Sequence, residues 1–232
     1  MAVSIEEYQE WKNCTLYFDL STLFGMSNHD TINFLISEAK SLKKYAEAIL
    51  YDYMKTISFM ALAKTKPQTE NGLRNLISLS NECGEAGRSV EDIAMLLLQY
   101  EGEDYPEVTE VVKDIIEWTD DFLEKERIYH SHYLNIVSDE AAKHNFIDSE
   151  KVESSMKDGK RSEGIVEISI GIINFEESKC SGEALSNYIE LRDSGRLDEF
   201  YEQNKQEYQS VADLCKFDQM DSSIIKKFWP WD

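Results

Sequence analysis

Proline is scarce in this chain: Pro67, Pro106 and Pro230 are the only three in 232 residues. Each sits where a helix would start or a tail would turn, so no proline forbids a long uninterrupted helix. Cysteine is nearly as sparse. Cys14, Cys83, Cys180 and Cys215 lie 69, 97 and 35 residues apart, which excludes CxxC or metal-ligand spacing and leaves free, reduced thiols. No segment approaches about 18 consecutive apolar residues, so no membrane span is expected. Glu6, Glu7 and Glu10 stand where a secretory signal would carry basic and then apolar residues, and a cytoplasmic setting is expected. The chain also lacks a glycine-rich phosphate loop, a Lys/Arg cluster able to track a nucleic-acid backbone, and any nucleophile arrangement of Ser, Cys and His. No cofactor, no covalent catalysis and no direct nucleic-acid contact is expected.

The apolar content is ample, at 42% hydrophobic and 11% aromatic, enough to offset chain entropy and to argue against disorder. The length suits one extended domain or two small ones. Charge is lopsided: 45 acidic against 24 basic side chains give a net of -21. A surface of that sign repels nucleic acid and anionic lipid and favours cationic partners, although such charge also serves solubility alone.

Helical periodicity dominates the pattern. Ser4 and Glu7 have capping-box spacing. From about 30 to 64, Ile32, Leu35, Ala39, Leu42, Ala46, Ile49, Tyr53, Ile57 and Met60 recur in steps of mostly three and four, the seam of a bundle or coiled coil. Shorter helices fit 73–83 and 90–100, the latter capped by Ser89 with Asp92 three residues on, and the Gly84/Gly87 pair predicts a break between them. Pro106 opens a second long helix with the seam Val108, Val112, Ile115, Thr119, Phe122, Glu126, Tyr129, Tyr133 and Ile136. Residues 139–161 read as a linker with a short helix near 149–156. Within 164–175 the apolar spacing fits strand and helix both, and the absence of a strand partner favours helix. Helices near 183–192 and 197–215 follow. The expectation is an all-α elongated bundle with two long antiparallel-type helices and several shorter ones. It divides into an N-terminal bundle over 1–138, the linker at 139–161, and a C-terminal helical segment over 162–232 that packs on the bundle. A long seam can also close against a second copy, so a homo-oligomer is admissible.

Charge is also concentrated locally. Residues 82–126 hold fifteen acidic and three basic side chains. Among them Glu107, Glu110, Asp114, Glu117, Asp121 and Glu124 fall at steps of three and four, a single ridge on the outward face of the long helix. Like charges so spaced cost a helix a few tenths of a kcal/mol per pair, so the ridge is not there for helix stability. It suits capture of a basic protein surface or imitation of nucleic acid. The alternatives are a solvated face, or pairing with Lys40, Lys43 and Lys44 of the other long helix.

Two enzymatic patterns run alongside. Glu82 and Glu85 form ExxE and Glu117 and Asp120 form ExxD, an arrangement similar to the magnesium sites of all-α nucleotide pyrophosphohydrolases of the MazG type. That resemblance implies carboxylates from facing helices holding magnesium against a nucleotide's phosphates. Arg127 and His132 have the Rx4H spacing that resembles the catalytic motif of HEPN ribonucleases, which implies acid/base work by the histidine and phosphate binding by the arginine. Five residues at 100° each splay these two side chains by about 140°. At the far end, Trp229 and Trp231 place two indoles in three residues, suited to docking on the bundle or to anchoring a partner. A regulatory or inhibitory interaction protein is expected. It binds a basic protein surface, such as that of a nucleic-acid-binding protein, and touches neither nucleic acid nor membrane itself.

Overall fold

The computed structural model describes residues 23, 25–62, 69–102, 104–179 and 185–215. Among these the chain is all helix, with no strand. The helices are α1 (Asn28–Leu62), α2 (Glu70–Leu98), α3 (Pro106–Lys143), α4 (Ser149–Lys157), α5 (Arg161–Lys179), α6 (Leu185–Asp193) and α7 (Leu197–Cys215). No described helix is long and apolar enough to cross a membrane. The stretch 164–175 is helical within α5, as the missing strand partner suggested. Trp229, Trp231 and the Ser4/Glu7 spacing lie outside the described residues.

Local chemistry sets the helix ends. The Ser27 hydroxyl accepts from the Asp30 backbone N–H at 3.2 Å and donates to the Asp30 carboxylate at 2.7 Å, opening α1. Thr69 caps α2 by accepting from Gly72 N–H, Pro106 occupies the first turn of α3, and Asp148 caps α4 by accepting from Lys151 N–H. Gly159 and Gly195, at φ 75° and 70°, take the left-handed conformation that ends α4 and α6 without a Cβ penalty.

Both predicted seams are internal. In α1 every seam residue from Ile32 to Ile57 is buried, and Tyr45, Ala48, Leu50 and Met54 are buried as well. That wider buried face follows from its position, since α1 packs against α2, α3, α6 and α7. In α3, Val108, Val112, Ile115, Thr119, Phe122, Tyr129 and Tyr133 are buried, while the seam positions Glu126 and Ile136 are half-buried.

The direction of the long helices departs from the antiparallel expectation. Lys43 meets Asp114, Glu47 meets Trp118 and Tyr53 meets Tyr133, so contact positions rise together along α1 and α3. The two therefore run the same way. The reason lies in α2, which reverses the chain once after α1 and again before α3: Tyr45 contacts Glu82 while Tyr53 faces Ser80, and Gly87 contacts Phe122 while Ser80 faces Tyr133.

The break expected between 83 and 90 is also absent, because α2 passes through both glycines and Ser89 is buried inside it rather than capping a new helix. Gly87 is there for a close approach. A Cβ at this position would lie 2.9 Å from the ring edge of Phe122, itself stacked on Trp118 at 4.8 Å. Nothing stands within 4 Å of a Cβ at Gly84. Gly84→Ala is therefore expected to stabilise the fold by about 0.5–1 kcal/mol, and Gly87→Ala to destabilise it by about 1–3 kcal/mol. Urea unfolding of the two variants reads both, and shifts of the same sign would contradict this assignment.

Candidate functional site

On α3 the 3.6-residue repeat turns the apolar seam inward and leaves the acidic ridge outside. Glu107, Glu110, Asp114, Glu117, Asp121 and Glu124 are all exposed. Asp114 is tied to another helix, accepting from Lys43 of α1 at 2.7 Å, while Glu117 and Asp121 pair along α3 itself with Lys113 at 3.7 Å and Lys125 at 2.5 Å. These three acids remain 72%, 69% and 61% exposed, and the two pairs along α3 contribute at most about 1 kcal/mol each and yield readily to a better partner. Of the lysines considered as internal partners, Lys43 takes that role and Lys44 turns to Asp198 of α7 instead. Lys43 is held from a second side by the Trp118 ring, 5.6 Å from its ammonium, and the Trp118 indole N–H donates to Glu47 at 2.7 Å.

The four carboxylates of the ExxE and ExxD pairs are not brought together. Glu82 is buried, with its carboxylate accepting from the Tyr45 hydroxyl, whereas Glu117 and Asp120 lie exposed on α3. Because α2 and α3 run antiparallel with Gly87 level with Phe122, Glu82 and Glu117 are separated by on the order of 15–20 Å along the helix axes. Burial pushes the Glu82 carboxyl up to about 7, reinforced by Glu85 and opposed by a hydrogen bond from Asn187, which favours the neutral form that a hard cation binds poorly. Among the described residues no group of three or more His, Cys, Asp or Glu is placed to hold a metal ion.

Arg127 and His132 are likewise apart in direction. Arg127 is exposed, while His132 is half-buried, and burial pushes its imidazole below the usual range. The neighbouring His130 is engaged elsewhere, stacked on Tyr133 at 5.3 Å with Nδ1 3.1 Å from Glu126. Five helical steps from one to the other splay the two side chains of the Rx4H pair by about 140°.

Periodicity did not reveal a buried network of acids and phenols that fastens α6 to α1 and α2. Tyr188 donates to Glu38 at 3.1 Å, and Arg192 donates to the same carboxylate oxygen at 3.0 Å. Asn187 donates to the Tyr45 hydroxyl at 3.4 Å, and Tyr45 donates to Glu82. The Tyr45 and Tyr188 rings are 5.2 Å apart. A second link of this kind joins Tyr133 of α3 to Glu176 of α5. One signal was present: Glu82 stands three residues after Leu79 and four before Ala86, an acid in line with an apolar stripe. Each acid here has a protein donor, as buried polar groups require, which makes the network a clamp between helices. Comparison of the chain with known protein families, curated proteins and solved structures gave no match.

Proposed function

We propose that this chain is a regulatory or inhibitory interaction protein that presents the α3 ridge to a basic protein surface, imitating a nucleic-acid backbone. The observation that carries the reading is the exposure of all six ridge carboxylates on one side of a single rigid helix. Neighbouring acids at three- and four-residue steps stand roughly 5–6 Å apart. From Glu107 to Glu124 the row is about 26 Å long at 1.5 Å per residue. Such a row matches a groove built to hold successive phosphates, and its helix backbone needs no rearrangement to bind.

Reversing Glu110, Asp114, Glu117 and Asp121 to lysine tests this reading. The change is +8 on an outward face; it gives up two exposed pairs along α3 and the contact of Asp114 with the largely buried Lys43, so circular dichroism should stay helical and the melting temperature should fall by only a few degrees. The partner recovered by the wild-type chain at about 50 mM salt should be released as salt approaches about 200 mM, be displaced by duplex DNA, and not be recovered by the reversed variant. A folded variant that binds the same partner with unchanged affinity and salt dependence would end the proposal.

A further inference from the structure

Beside the ridge, α1 and α3 leave a hollow of about 220 Å³ between them. Its floor is apolar, made of Ile36 and Ala39 from α1 and Val111 and Ile115 from α3. Its α3 rim is formed by Glu110 and Asp114, which are both ridge residues, so hollow and ridge are one continuous surface. The opposite rim carries Lys40, which is exposed, and Lys43, whose charge is already met by Asp114 and the Trp118 ring.

Size and chemistry narrow the occupant. A cavity of about 150 Å³ accepts a benzene ring, and small-molecule sites run to about 300–1,000 Å³, so this hollow takes one large side chain and not a nucleotide or cofactor. A phosphate backbone gains nothing from an apolar floor, whereas a protein segment gains the burial of an anchor residue. The rims are opposite in sign, and this sets orientation: basic residues of the occupant belong on the α3 side of the anchor, facing Glu110, and away from Lys40. We infer that ridge and hollow form one composite site for a basic helical segment of a partner protein, whose single large apolar side chain inserts between α1 and α3. The inference rests on the ridge reading and specifies the partner's chemistry.

The test uses the full chain and two fluorescein-labelled helical peptides of lysine and alanine, one with a central phenylalanine and one with serine in its place. Fluorescence anisotropy at about 50 mM salt should show the phenylalanine peptide binding about tenfold tighter than the serine peptide. Val111→Trp fills the hollow from α3 and Ile36→Trp from α1. Either should remove the difference between the peptides while leaving the serine peptide's affinity unchanged, and having both keeps the test open if one disturbs folding. Equal binding of the two peptides by the wild-type chain would overturn the inference and leave the ridge reading standing, as would a tenfold difference that survives both substitutions. If neither peptide binds the wild-type chain, the ridge reading falls and this inference with it.

Discussion

Replacing Gly171 by alanine is expected to destabilise the protein by about 3 kcal/mol, the upper end of what one added methyl group costs a packed interior. Gly171 is buried in α5 where that helix crosses the turn after α3. A Cβ there would overlap the Ile147 side chain and would lie 2.6 Å from the carbonyl oxygen of Phe146. A side chain can rotate away, but a carbonyl cannot without moving the turn. That turn is pinned by the Phe146 N–H donating to Ala141 O at 2.8 Å, and by the Phe146 ring set edge-on to Phe175 at 5.3 Å. Asn145, at φ 61°, already holds the left-handed conformation the turn needs. For a chain of this size the loss corresponds to a fall in melting temperature of about 6–12 °C. Gly164→Ala is the control, because the added methyl group meets the flexible end of Met156 at 3.1 Å, and its cost should stay below about 1 kcal/mol. Equal melting temperatures for Gly171→Ala and the wild type would show that α5 does not approach the turn this closely.

Glu82→Gln should stabilise the protein at pH 8, by about 2–3 kcal/mol, and should do little at pH 4. Burial raises the folded-state carboxyl to about 7 from an ordinary value of 4.5. Between those values the native state holds a proton that the unfolded state has released. The group's stabilising contribution is therefore complete below about pH 4.5 and is lost as pH rises through about 7. A shift of that size corresponds to about 3 kcal/mol at 1.36 kcal/mol per unit. Glutamine copies the neutral carboxyl: its amide oxygen still accepts from Tyr45, and it does not titrate. Urea unfolding at pH 4, 6 and 8 should show the gap between variant and wild type opening with pH. A constant gap across that range, or a less stable variant at pH 8, would mean that Glu82 is ionised in the folded protein.

The residues that sequence reasoning placed correctly are those governed by helix geometry alone. Ile32 to Ile57 and Val108 to Tyr133 turned out internal, and Glu107 to Glu124 external, because a 3.6-residue repeat fixes which face of a helix is apolar whatever it packs against. Pro106 opened its helix for an equally local reason. Gly84 and Gly87 look identical in a sequence window, and only the distance from Gly87 to Phe122, 35 positions away in the chain, distinguishes a packing glycine from a helix breaker.

The sequence by itself determined the helical class, the two long seams and the outward row of acids, since each follows from the spacing of residues within one helix. The tertiary structure alone decided that α1 and α3 run in the same direction, that Glu82 and Glu38 are buried under Tyr45 and Tyr188, and that the ExxE and ExxD pairs lie far apart. Those facts depend on which helices meet and at what level. That is settled by side chains distant in sequence, such as Lys43 with Asp114 or Asn187 with Tyr45, whose contacts leave no periodic trace along the chain.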